Sequence, residues 1–187
     1  FYWNPKSPET QFFFNDRDPE TGKVFTALYE LESRERLHEY RFEDSPVGNS
    51  GVAPDGDSFL AINYARMDRL RPVTGYPGAY DWTVGEAAPD SDGIFRVDID
   101  SGSRSQLVSF QEMRDKFIEK IPDVDEASLY INHTLWNRGS DRIYFYLRGR
   151  LKKKSMWVNA PCSVHPDGSH LTFHETFIGG HPEWGPA

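Results

Sequence analysis

The sequence predicts an all-β chain: a partial β-propeller of about three four-stranded antiparallel blades plus the start of a fourth, with a short helix in an insertion. Three observations lead there. A unit made of an aromatic or small residue, a turn rich in Asn, Pro, Asp and Gly, and then an apolar strand recurs along the chain. Its instances are Trp3-Asn4-Pro5 before Phe12-Phe13-Phe14, Ala53-Pro54-Asp55-Gly56 before Phe59-Leu60-Ala61-Ile62, Trp136-Asn137-Arg138-Gly139 before Ile143-Tyr144-Phe145-Tyr146, and Trp184-Gly185-Pro186. The turn positions Pro5, Pro54, Arg138 and Pro186 are spaced by 49, 84 and 48 residues, so two repeats agree in length and the middle one carries insertions. Between the turns the segments are short, aromatic or β-branched, and bounded by Asp, Gly, Ser and Pro, which is strand chemistry. Four strands in about 40 to 50 residues is the size of a propeller blade.

Taken in order, strands are expected over 24–31, 37–42, 93–99, 104–110 and 155–159, besides those that follow each turn. Blades are expected over about 1–47, 48–129 and 130–178, with 179–187 opening the next, all in one domain. The helix is expected where Ser109 and Glu112 form a capping box and Phe110, Met113, Phe117 and Ile121 follow at helical spacing until Pro122. An antiparallel sandwich is the alternative architecture, disfavoured by the near-equal repeats. Because rings of about four to eight blades are needed to protect sheet edges, the missing blades of the same protein are expected as partners.

Composition excludes some functions. The 21 Lys and Arg against 29 Asp and Glu give a net charge of −8, which argues against a general nucleic-acid binder. No apolar run approaches the roughly 20 residues that span a bilayer, so no membrane insertion is expected. The single cysteine, Cys162, excludes an intramolecular disulfide. P-loop and dinucleotide glycine patterns and a Gly-x-Ser-x-Gly elbow are absent from the sequence.

The units around 53–56 and 181–186 resemble the repeat of TolB-like β-propellers, a resemblance over nearly the whole chain that specifies fold. Asn132-His133 and His181 are loosely similar to the region of oligogalacturonate lyase, a propeller polysaccharide lyase with histidine metal ligands on its inner strands. That resemblance implies His133 and His181 as metal ligands, with a periplasmic or secreted setting favoured.

Counting back three residues from Trp136 and from Trp184 gives His133 and His181, equivalent positions expected at the top of adjacent inner strands. Two readings stay open for them. They bind a divalent cation (Mn, Ca or Zn) or act as general base, or they hydrogen-bond neighbouring blades and close the channel entrance. A second constellation lies in the insertion after Tyr64, which carries Arg66, Arg69, Arg71, Tyr76, Tyr80 and Trp82, and in the connection at 148–154, where Arg148, Arg150 and Lys152 to Lys154 supply five positive charges in seven residues. Guanidinium forks suit carboxylates or sulfates and aromatic faces suit sugar rings, so an anionic oligo- or polysaccharide is the expected partner. The arginines have a second set of candidate partners in internal carboxylates such as Asp68 and Asp81. The functional expectation is a propeller that binds an anionic carbohydrate on its top face. In its enzymatic form it is a metal-assisted lyase in which a metal or arginines neutralise the uronate and His133, His181, Tyr76 or Tyr80 exchange protons. The alternative is a non-catalytic binding propeller for protein or glycan.

Overall fold

The computed structural model describes residues 1–151, 157–177, 179 and 182–185, with only the backbone of Trp157. Among the described residues, twelve strands form three four-stranded antiparallel sheets, each a simple meander. The first sheet is β1 (Tyr2–Trp3), β2 (Gln11–Arg17), β3 (Val24–Glu30) and β4 (Glu35–Tyr40). The second is β5 (Gly48–Val52), β6 (Ser58–Ile62), β7 (Gly93–Asp98) and β8 (Arg104–Ser109). The third is β9 (Ala127–Trp136), β10 (Ile143–Leu151), β11 (Trp157–Val164) and β12 (Thr172–Phe173), opening three residues before the expected limit. Successive meanders of this kind are propeller blades, and the fold is the partial propeller the repeat predicts.

The repeat is visible bond by bond. Each turn between first and second strand is closed by a backbone N–H of Asn4, Ala53 or Asn137, donating to the carbonyl of Gln11, Ser58 or Arg142 at 2.9 Å in all three. Those donors are spaced by the same 49 and 84 residues as the turn motif. Neighbouring blades are stitched in the same way. The Trp136 indole donates to the Gly51 carbonyl of the previous inner strand at 3.1 Å, and the Trp184 indole donates to the Leu135 carbonyl at 3.3 Å. The recurring turn aromatic is therefore a blade-to-blade clamp.

Two clusters fill the space between sheets. Phe13 and Tyr40 of the first blade meet Phe59, Ala61, Phe95 and Val97 of the second. Leu60, Ile62 and Ile94 of the second join Leu129, Ile143, Phe145, Leu147 and Cys162 of the third. Alternation along each strand sends one set of side chains to each neighbour.

Meander topology puts the β1–β2, β5–β6 and β9–β10 turns at one end, here the turn end. The β6–β7 and β8–β9 connections leave from the other, the loop end. Both loop-end connections contain helices. α2 (Phe110–Phe117) is the expected one: the Ser109 hydroxyl accepts the Glu112 N–H at 3.0 Å, and Phe110, Met113 and Phe117 are buried. α1 (Tyr64–Leu70) was not expected. It is capped by the Asn63 side chain, which accepts the Arg66 N–H at 2.9 Å, and it sinks Met67 and Leu70 into the second cluster. Seven residues give too few periodic positions to stand out from a loop.

A candidate anion site between two blades

The insertion is anchored by a polar network. Asn63 Nδ2 donates to Asp92 at 3.0 Å and to Asp81 at 3.1 Å; Thr83 donates to Asp81 through both N–H and hydroxyl. Burial pushes the Asp92 carboxyl up to about 7, against the Arg66 charge and the bonds from Asn63 and Gly93. Burial also acts on Asp81, but hydrogen bonds from Thr83, Arg69 and Asn63 outweigh it and hold that carboxyl below the ordinary range.

The three arginines of this segment have different fates. Arg66 is 1% exposed and donates to the carbonyls of Leu129 (2.6 Å), Glu86 (3.1 Å) and Ala87 (2.6 Å) and to the Thr83 hydroxyl (2.8 Å). It ties α1, its loop and β9 together and has nothing to offer a ligand. Arg69 pairs with Asp81 at 2.7 Å, one of the internal carboxylates the sequence suggested. Arg71, the C-terminal cap of α1, makes no ion pair among the described residues, and its Nη1 is buried with no partner in hydrogen-bonding geometry.

Arg71 points to a row of side chains on the third blade. Tyr130 of β9, Arg148 of β10 and Asn159 of β11 are directly opposite one another across the sheet, so they line up on one face. With Arg71 and Val158 they line a cavity of about 370 Å³. Arg148 donates to Asn159 Oδ1 at 3.1 Å and its guanidinium lies over the Tyr146 ring at 5.3 Å. Like Arg71, it makes no ion pair among the described residues. Burial, and after it the Arg71 charge, lowers the pKa of Arg148 from the usual arginine value. Burial raises the Tyr130 phenol, while the two guanidinium charges pull the other way. Even with its pKa lowered, the Arg148 guanidinium keeps its charge at neutral pH. Two half-buried cations that face one cavity without a carboxylate repel each other, and an anion between them relieves that repulsion.

The structure thus brings together Arg71 and Arg148 of the expected residues. Arg150 is exposed and shares Arg148's face two residues nearer the loop end. The others lie elsewhere. Tyr76 packs edge-on against Tyr64 (5.5 Å) and reaches the Asn15 carbonyl at 3.5 Å, at the junction of the first two blades. Tyr80 is 46% exposed, with its N–H bonded to Gly22 of the first blade. Trp82 packs against the cluster between the first two blades.

His133 is not at the top of its strand. It is the seventh of ten residues in β9, with φ of 57°, at an irregularity opposite Tyr144 to Tyr146. A left-handed residue in an antiparallel pair is a bulge, and it turns the imidazole edge-on to the Tyr146 ring at 6.0 Å. His181 and Lys152 to Lys154 lie outside the described residues. Among those described, no three His, Cys, Asp or Glu side chains gather as a metal site.

Sequence reasoning missed Tyr130 and Asn159. Their signal is strand register, which puts each beside Arg148, and the bulge at His133 hides that register from the sequence.

No family model matches the chain, and no curated protein matches it. Among solved structures, the chain is similar to Kuenenia stuttgartiensis hydrazine synthase with TM-score 0.46 and 12% identity, over 82% of this chain and 36% of that one. It is similar to Pyrococcus horikoshii acylaminoacyl peptidase with TM-score 0.46 and 12% identity, over 91% of this chain and 26% of that one. The chain therefore spans about a third and a quarter of the structures it matches. At this level of likeness the propeller assignment rests on the chain's own three meanders and their repeated turn and tryptophan bonds.

Proposed function

We propose that this propeller binds an anionic carbohydrate through Arg71 and Arg148, with Tyr130 and Asn159 meeting neighbouring hydroxyls. One observation carries the reading: two guanidinium groups without a carboxylate partner among the described residues face one cavity beside a phenol and a carboxamide. A uronate carboxylate or a sugar sulfate fits such a pair, because charge-assisted bonds to a planar fork are both strong and directional. Binding is better supported than elimination. A lyase needs a base for the proton at C5, and the phenol in this cavity is raised by burial, so it stays protonated at neutral pH. Tyr76, Tyr80 and His133 do not reach the cavity.

A further blade is the partner proposed for the outward face of the first sheet. Phe12 follows the turn-closing residue as Phe59 and Ile143 do in the other blades, where that position faces the preceding sheet and is fully buried. In the first sheet it instead sits in an aromatic cluster with Phe1, Trp3 and Tyr29.

Calorimetric titration with galacturonate oligomers, a sulfated oligosaccharide and a neutral glucan oligomer tests the binding. Anionic ligands are expected to bind and to weaken with salt, and Arg71→Ala or Arg148→Ala to lose about tenfold each, roughly 1.4 kcal/mol. Equal affinity for the neutral oligomer, or unchanged affinity in both variants, would overturn the proposal. Ultraviolet absorbance from an unsaturated product in the same mixtures would restore the lyase reading.

A further inference from the structure

The hairpin between β11 and β12 carries two histidines that take no part in the anion cavity. Its sequence is His165-Pro166-Asp167-Gly168-Ser169-His170. The backbone is closed twice: the His165 N–H donates to the Ser169 carbonyl and the Gly168 N–H to the His165 carbonyl, both at 2.9 Å. Asp167 Oδ1 accepts the Ser169 N–H at 2.9 Å, and the Thr172 hydroxyl donates to the His170 carbonyl at 2.9 Å. His170 has a left-handed backbone with φ of 56°. Its ring lies beside that of His165, with centroids 4.5 Å apart and planes at 36°.

This hairpin is a surface feature of a blade that has neighbours on both sides. The equivalent β7–β8 hairpin of the second blade lies between two blades and closes in the same way. There the Asp98 N–H donates to the Ser103 carbonyl and the Gly102 N–H to the Asp98 carbonyl, both at 2.9 Å. Asp100, Ser101 and Ser103 remain exposed, and Asp98, which matches His165 in register, is only half-buried. Both hairpins lean on the preceding blade. A Cβ at Gly102 would sit 3.6 Å from His38 Nε2 of the first blade, and one at Gly168 would sit 2.5 Å from the Leu107 carbonyl oxygen of the second. Gly168 is therefore required where the hairpin rests on β8, and that contact leaves His170 exposed and His165 half-buried.

Zinc-bound imidazole nitrogens lie about 2.0–2.1 Å from the metal, which puts the centres of two adjacent ligand rings about 4.5–5 Å apart. The His165 and His170 rings already stand at that spacing. Terminal ring torsions are broad, so a rotation about χ2 turns one nitrogen of each ring to a common point. Hydrogen bonds from Ser169 hold the Asp167 carboxyl below its usual range, and the His165 charge adds to them, so a negative charge stands beside the pair.

We infer that His165 and His170 form a two-imidazole chelate for a divalent cation of the zinc and nickel class, with water completing its coordination, at a place separate from the anion cavity. Imidazole suits such metals, whereas calcium and magnesium take oxygen ligands. Because the turn is closed beforehand, binding orders little additional chain. With two protein ligands in place of the four of a structural centre, the cation exchanges with solvent.

Titration of the labelled protein with Zn²⁺, followed through the imidazole ring signals, tests the site. Those of His165 and His170 are expected to shift together along one saturable curve and to stay in place with Ca²⁺. His165→Gln and His170→Asn should each weaken zinc binding at least tenfold and leave the remaining ring of the pair nearly unshifted. Neither position is buried, and Asn tolerates the left-handed backbone at 170, so both variants keep the fold. Zinc that moves neither ring, or only one, would overturn the chelate. So would an equal response to calcium, or full zinc affinity in either variant.

Discussion

Arg66 and Arg71 are five residues apart in one short segment and end in opposite circumstances. Arg66 is on the side of α1 that faces β9, and burial lowers its pKa to about 10, against the charges of Asp92, Asp81 and Glu86. Arg71, at the cap, swings out over the third blade. Charge counting along the sequence cannot separate the two, since the difference is the phase of a helix that the sequence does not announce. Asp92 offers a test at the same scale. Its carboxyl titrates near 7 in the folded chain and near 4 when unfolded, so between those values the folded state holds a proton that the unfolded state has released. Stability from this group is therefore present below about pH 4 and is lost as pH rises towards 7. Asp92→Asn keeps the acceptor for Gly93 but leaves one Asn63 donor opposed by an amide, costing about 1–3 kcal/mol in acid. Thermal midpoints measured from pH 5 to 8 should show the unaltered protein ahead at the acid end and the gap closing by neutral pH. Parallel curves would contradict the assignment.

At the scale of elements, the turn-strand unit was legible because each part has a mechanical role: the turn-closing N–H, the strand after it, and the tryptophan that clamps the neighbouring blade. The helix after Ser109 was legible through its cap and its buried stripe. His133 was misplaced because counting back from Trp136 assumes that a short inner strand begins there. β9 runs ten residues, and its bulge places the histidine well inside it. The anion site was half legible. Arg71 and Arg148 stood out as cations, whereas Tyr130 and Asn159 became visible only with register. The insertion as an element depends on Arg66, which bonds both to its own loop and to β9. Replacing it by Met takes a donor from the buried carbonyls of Leu129, Glu86 and Ala87, the last of which keeps the Leu129 N–H, and chemical denaturation should show a loss of about 2–5 kcal/mol. A loss under about 1 kcal/mol would mean that hydrophobic packing of Met67 and Leu70 alone holds the insertion.

For the molecule as a whole, the two outward faces differ in chemistry. The first blade presents aromatic rings, with Phe1 79% and Trp3 45% exposed, which suits packing against another sheet. The third presents the Tyr130, Arg148 and Asn159 row towards the loop end of its sheet. Placing the site there makes it a product of two blades, because Arg71 arrives from the insertion of one and Arg148 from the sheet of the next. The overall charge of −8 does not oppose an acidic ligand, since the cations that matter are gathered at one cavity and their field acts locally. The most direct measurement follows the arginine Nε–H resonances of the labelled protein during titration with galacturonate oligomers. The signals of Arg71 and Arg148 are expected to shift together and saturate at one ligand equivalent, while those of Arg66 and Arg69 stay in place. Binding that leaves Arg71 and Arg148 unmoved would contradict the assignment of the site.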